Sequence, residues 1–304
     1  MITLLSTWTF GIALGFVALG VFVSYRLFSF PDITSEGSFT LGAVITAVLL
    51  TSGVDPALAT LGGMVAGAAA GSVTGMLHAF LGIEPLLAGI LMTTALASVN
   101  LVTLGKSNVP LTGMPTLFDR AETAFGPAMR SLGGGEAEAG EAARLAFIVC
   151  LAAAAIAVLY LFFRTQIGTA MRAGGNMPTM ARALGRNTGL MTVGGLAIAN
   201  ALTALGGGLV AQYQGFTDVQ MGIGMVVWGM ASVFLGAALV GPVGLGGALV
   251  AAVAGSVTFR LLVASALRAG LDPDWLKAAT AIVVLAALVA PRYLRGRTAA
   301  HAQH

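Results

Sequence analysis

Long stretches of the chain hold apolar residues with almost no charge between them, not the alternation of apolar and polar positions that a water-exposed fold requires. Such runs occupy Leu4–Val23, Ala57–Leu77, Pro85–Leu104, Leu145–Phe163, Leu190–Ala211, Leu245–Val263 and Trp275–Ala290, with shorter ones at Phe39–Gly53 and Ile223–Val240. A helix needs about 20 apolar residues to cross the hydrocarbon core. Lipid offers the backbone no hydrogen-bond partners, so each run is expected to be helical. The pattern predicts an all-α polytopic membrane protein with about eight or nine spanning helices. Arg260 and Lys277 sit near run ends, from which a long side chain reaches the interface. The acids cluster at run ends and between runs.

Composition agrees: 57% of residues are hydrophobic and 9% charged, against about 25% charged in soluble domains. The first run lacks a basic leader and is followed by Tyr25-Arg26, so it is expected to be a span and not a cleaved signal. The one cysteine, Cys150, lies within an apolar run, which leaves no disulfide framework or cysteine metal cluster.

Charge placement predicts sidedness. Arg164, Arg172, Arg182 and Arg186 occur with no acid between them, and the tail adds Arg292, Arg295 and Arg297, again with none. Both regions are expected on the cytoplasmic face, with the C-terminus inside. Lys106–Arg144 mixes bases with acids and suits the outer face as an external loop over 106–144, in which Leu117–Met129 reads as a short surface helix and Gly133–Glu141 as a flexible acidic turn. Counting back from the tail places the N-terminus outside after nine crossings.

The chain also resembles itself. Gly62–Leu77 aligns with Gly246–Leu261 at nine of sixteen positions, including an unbroken Ala-Gly-Ser-Val-Thr, and Phe30-Pro-Asp32-Ile is echoed by Phe216-Thr-Asp218-Val. A single transmembrane domain over 1–304 with repeat halves at 30–105 and 212–266 follows. The matching spans run in opposite senses in this topology, as in transporters built from inverted repeats with broken helices. Chance likeness between Gly/Ala-rich helices is the alternative. Glycine supplies 42 residues, and Gly63, Gly67, Gly71 and Gly75 form a stripe suited to close helix packing.

Two segments carry candidate chemistry. Phe30–Phe39 sets two acids, three hydroxyls, a proline and a glycine between apolar runs, and Ser35 or Ser38 is placed to cap the following helix. It is either an interfacial loop or a re-entrant element lining a translocation path, with Gln212–Gln220 as its counterpart. Ionisable and amide groups at membrane depth usually face a cavity or a partner, so Asp32, Thr34, Glu36, Ser38, Asn100, Asn200, Gln214 and Asp218 are the path candidates. His78 has no ligand partner nearby in sequence, and no metal site is expected.

The second segment is the basic stretch 164–188. Asn176–Gly185 reads as a short helix, with Asn176 as cap, Pro178 in the first turn and Gly185 as stop. Met177, Met180 and Leu184 share one face, and Arg182 and Arg186 another. Such a helix either lies on the bilayer or fits a partner's groove. No Walker-type Gly-x-x-x-x-Gly-Lys loop, HExxH, nucleophile elbow or dinucleotide fingerprint occurs, so no catalytic residue is expected here.

The run Ser29-Phe-Pro-Asp-Ile-Thr-Ser-Glu-Gly-Ser-Phe-Thr-Leu-Gly-Ala43 resembles a signature of bacterial ABC-transporter permeases. These are related to the branched-chain amino acid and ribose permeases, and the nearest subfamily carries tryptophan/tyrosine transport labels. Arg164-Thr-Gln-Ile-Gly-Thr-Ala-Met-Arg-Ala173, with Asn176-Met-Pro and Ala183-Leu-Gly185, resembles the cytoplasmic coupling loop of the wider class. The resemblance implies an importer subunit of the bacterial inner membrane for a small polar organic solute, with an amino acid as the best candidate and an aromatic one suggested by the subfamily's labels. It implies that Arg172, Asn176, Met177, Pro178, Met180, Arg182, Leu184 and Gly185 form the surface seated on a cytoplasmic ATP-binding subunit. It further implies a periplasmic or lipid-anchored solute-binding protein and a second permease subunit, as a homodimer. ATP and magnesium then belong to the partner, this chain carries no cofactor, and no nucleic acid is involved. An ion-coupled secondary transporter is the alternative.

Overall fold

The first helix does not run directly into the second. In the computed structural model, which describes residues 2–130, 135–241 and 243–270 with a few positions between 275 and 285, α1 (Ile2–Val21) widens into a π-helical turn, Phe22–Leu27, and then stops. Ser29 takes φ 50°, and Pro31 removes a donor and biases Phe30 away from the helical region. The helix restarts as α2 (Thr34–Thr51). Just ahead of that start, where Ile33 takes the N-cap position, Asp32 Oδ1 accepts the Thr34 N–H at 2.9 Å. Ser35 and Ser38 thus lie inside α2 instead of capping it, and the polar segment is helical from Thr34 onward.

Conventional punctuation sets the next elements. Asp55 accepts the Ala57 N–H and Pro56 occupies the first turn of α3 (Pro56–Leu81). Then follow α4 (Pro85–Leu104), strand β1 (Asn108–Pro110) and α5 (Leu117–Arg130), the last matching the expected surface helix. α6 (Glu136–Arg164) begins nine residues before the apolar run, so Glu136–Glu141 form helical turns and not the expected flexible turn. The basic stretch holds two helices, α7 (Gln166–Asn176) and α8 (Pro178–Ala183). Asn176 ends α7, and Met177 takes the capping position of α8 without a side-chain bond. Asn187 caps α9 (Thr188–Gln214) through the Leu190 N–H. Strand β2 (Phe216–Asp218) pairs antiparallel with β1, Asn108 facing Asp218. α10 (Met225–Val240) and α11 (Leu245–Arg268) complete the described bundle. Seven of these helices are long and apolar enough to span a membrane, and α10 is a shorter apolar helix. The run Trp275–Ala290 and the basic tail lie largely outside the described residues.

The packing interleaves the two halves. α9 lies along α2 and α3, and α1 lies along α11 and α9, with α6 and α10 beside it. Small residues bring these helices together, because lipid supplies no hydrophobic drive between them. The stripe on α3 presses on α9: a Cβ at Gly67 would strike Asn200 O, one at Gly71 Leu196 O, and one at Gly75 the Val193 Cα. Gly255 of α11 packs instead on Ser232 O of α10, and Gly11 and Gly15 of α1 bring it against α11. α3 starts beside α5 through the Asp55–Arg120 ion pair and ends at a cavity shared with α7 and α8. α11 starts at a cavity shared with α7. The two matched helices therefore run in opposite directions.

Candidate functional site

The broken segments supply the polar interior. Asp32 is buried, with Oδ1 on the Thr34 N–H and Oδ2 accepting from Asn200 Nδ2 at 2.7 Å. The same amide nitrogen donates to Leu196 O at 3.0 Å. Thr34 and Thr74 hydroxyls bond each other at 2.9 Å, Thr93 donates to Ile33 O, and Asn100 Nδ2 donates to Gly37 O. The break thus sits in a cage from α3, α4 and α9. Ser38 Oγ, Asn100 Oδ1 and Asn200 Oδ1 are buried without a protein partner among the described residues.

The second break repeats the device. Asp218 Oδ1 accepts the Gln220 N–H, two residues on, as Asp32 does for Thr34. The chain then reaches Gly222, where a Cβ would collide with Glu36 O, and Gly224, whose φ of 88° opens α10. Glu36 Oε1 accepts the Gly224 N–H at 3.0 Å. The starts of α2 and α10 therefore meet, with a carboxylate placed where the unpaired N–H groups of α10 give a partial positive charge.

Of the sequence-derived candidates, the structure joins Asp32 with Asn200 directly and places Thr34, Glu36, Ser38 and Asn100 on or against the same start of α2. Gln214 and Asp218 lie apart, at the β1–β2 end, where Gln214 is exposed. The buried amide there is Gln212, whose Nε2 donates to Thr60 and whose Oε1 accepts the Leu117 N–H. Thr74 and Gly224 were also missed. Thr74 had a signal, since it ends the repeated Ala-Gly-Ser-Val-Thr. Glu36 lies in the first turn of α2 and Glu141 in α6 ahead of its apolar run, where it accepts from the Tyr213 hydroxyl. A cavity of about 930 Å³ between α1, α6 and α11 has apolar walls such as Ile12, Ile156 and Val253 and touches none of the candidates.

At the α7–α8 end, Met177, Met180 and Leu184 are 61%, 60% and 71% exposed. Arg182 Nε donates to Thr188 Oγ1, tying α8 to the start of α9, and Gly185 takes φ 73° where the chain turns. The arrangement is an apolar knob with a basic flank on the end of a membrane bundle. Among the described residues no group of three or more His, Cys, Asp or Glu is placed to hold a metal.

Comparison with known proteins fits this geometry. The chain is 36% identical over 285 residues to a tyrosine transport system permease protein of Clostridioides difficile (strain R20291), covering 94% of this chain and 90% of that one. It is 29% identical over 218 residues to an uncharacterized protein of Rickettsia prowazekii (strain Madrid E), covering 72% and 71%. No solved structure matches it significantly. The family model described as branched-chain amino acid transport system / permease component matches residues 3–289, nearly the whole chain, and the protein belongs to that family.

Proposed function

We propose that the chain is the permease subunit of an ABC importer of the bacterial inner membrane, with an amino acid as solute. The observation that carries the proposal is the exposed Met177–Met180–Leu184 face on an acid-free basic segment, in a chain with no nucleotide-binding loop of its own. An apolar face of this size on a loop helix fits a partner's groove, and the motor is expected there. ATP and magnesium then act in a separate ATP-binding subunit, which grips Arg172, Asn176, Met177, Pro178, Met180, Arg182, Leu184 and Gly185. The tyrosine transport relative favours an aromatic amino acid, delivered by a periplasmic or lipid-anchored binding protein to a pair of permease copies.

The two broken segments border the path in this proposal. Glu36 and the start of α10 form the joint that re-packs, Asp32, Thr34, Ser38, Asn100 and Asn200 hold the first break in register, and Gln214 and Asp218 mark the outer mouth. Half-helix starts near the bilayer midplane are recurrent sites of solute handling in transporters. The basic segment 164–188 and the C-terminus are cytoplasmic.

The test is co-purification. Met180→Glu and Leu184→Glu should abolish capture of the ATP-binding subunit and transport while leaving insertion and yield intact. Unchanged capture sinks the proposed docking face. The rival, an ion-coupled secondary transporter, draws on the ionisable groups Asp32 and Glu36. Vesicle uptake that needs an ion gradient and ignores ATP would decide for it.

A further inference from the structure

At the α7–α8 end, a cavity of about 670 Å³ opens between the π-helical turn, α7 and the start of α11. Its wall carries Arg26 and Tyr25 from the π-helical turn, Ser29, and Arg172 from α7. What brings the two arginines to one cavity is the close seating of α7: Gly175 packs on Leu27 O, where any Cβ would collide. Among the described residues, neither guanidinium forms an ion pair, and no acid lines the cavity. α11 meets it through Leu245 and Ala248 with its first-turn N–H groups bare of any side-chain cap and no acid in the first turn. Two free guanidiniums, hydroxyls and an uncapped 24-residue helix all present donors to the same space. The matching ligand is a phosphate.

The neighbouring space says which phosphate. A narrower cleft of about 110 Å³ shares Phe22, Tyr25, Arg26, Val243 and Ala248 with the cavity and continues between the π-helical turn, α10 and α11 past Val233, Phe234 and Ala251. A free inorganic anion has no use for such walls, whereas a lipid places its headgroup at the bundle end and its chain along the helices. We propose that this cavity is a specific site for an anionic phospholipid, its phosphate held by Arg26, Arg172 and the start of α11. Basic pockets between spanning helices suit such headgroups. π-helical turns recur at functional positions, and here the turn is what presents Tyr25 and Arg26. Arg172 also belongs to the face proposed for the ATP-binding subunit, so the test is made on the permease without that subunit.

The test uses the full-length permease in nanodiscs of phosphatidylcholine with a minor fraction of phosphatidylglycerol, followed by native mass spectrometry of retained lipid and a thermal scan. Wild-type protein should retain phosphatidylglycerol selectively and melt higher in its presence. The double variant R26Q/R172Q should lose retention about ten-fold or more, and R164Q, a basic residue away from the cavity, should not. Gly244→Asp gives a second arm: Gly244 has open space around it and an extended backbone (φ −62°, ψ 174°), so the aspartate fits, caps α11 and occupies the same N–H groups. It should fold with undiminished melting temperature and still lose the lipid, which keeps the test decisive if the double variant does not fold. Retention unchanged in G244D, or lost equally in R164Q, overturns the site. Inorganic phosphate raising the melting temperature with no selective lipid retention overturns the lipid assignment.

Discussion

Asp32 and Asn200 are 168 residues apart and share a 2.7 Å hydrogen bond between buried side chains. The bond ties the break between α1 and α2 to the middle of α9, so the first broken segment is held by a helix distant in the chain. Asn200→Ala removes the donor and leaves Asp32 Oδ2 buried without it, at a cost of roughly 1–3 kcal/mol. Asp32→Asn is nearly isosteric, yet it sets one amide NH₂ against another, because Leu196 O already holds Asn200 in its orientation. Both variants should lower the apparent melting temperature of the purified protein. Wild-type melting in N200A shows that the strut is not needed.

Glu36 is the corresponding contact between the two breaks. Its role is to accept the Gly224 N–H, which Gln also can do and Ala cannot. Glu36→Gln should keep most uptake in proteoliposomes supplied with the ATP-binding subunit and binding protein. Glu36→Ala should reduce it by about ten-fold, the equivalent of one charge-assisted bond. Equal loss in both variants points to the charge itself, not to the acceptor.

Glycines of α3 on and off the stripe differ in what they meet. A Cβ at Gly71 runs into the backbone of Leu196, which has nowhere to go, whereas one at Gly62 meets only the Leu49 Cδ1 tip at 2.7 Å. Gly71→Ala should therefore destabilise by about 1–3 kcal/mol and Gly62→Ala by much less, read as the difference between their melting temperatures. Matching values would mean that α3 and α9 can separate freely.

The Asp55–Arg120 pair, at 2.6 Å, anchors α5 to the start of α3. The Arg120 hydrogen bond, with help from the Ala57 N–H, holds the Asp55 carboxyl below its ordinary range. A depressed carboxylate stabilises the folded state above the unfolded value of about 3.9 and loses that contribution as pH falls through the lower folded value. Both side chains are exposed, so the contribution is small, and the effect is local. Spin labels on α5 and α3 should report separation only on strong acidification, and at neutral pH in R120Q.

Much of this architecture is legible from residue order. Uncharged runs about 20 residues long have one stable form in lipid, so the spans at α3, α4 and α9 fall close to their expected places. Pro56, Pro85, Gly82 and Gly185 mark ends because each fixes or frees a backbone angle locally. Sites were less legible. Gln214 and Gln212 look alike in sequence, two residues apart at the end of one helix, and only packing against Thr60 and α5 selects Gln212. Glu36 reads as a loop acid, yet it lies in the first turn of α2.

The sequence by itself determined that this is a helical membrane bundle, since hydrophobic length is a property of neighbours along the chain. Only the tertiary structure decided that α9 packs along α2 and α3 and α1 along α11, that Asp32 reaches Asn200, and that the starts of α2 and α10 meet at Glu36. Those contacts join residues more than a hundred positions apart, and they depend on which backbones come close enough to touch, which hydropathy and periodicity do not encode.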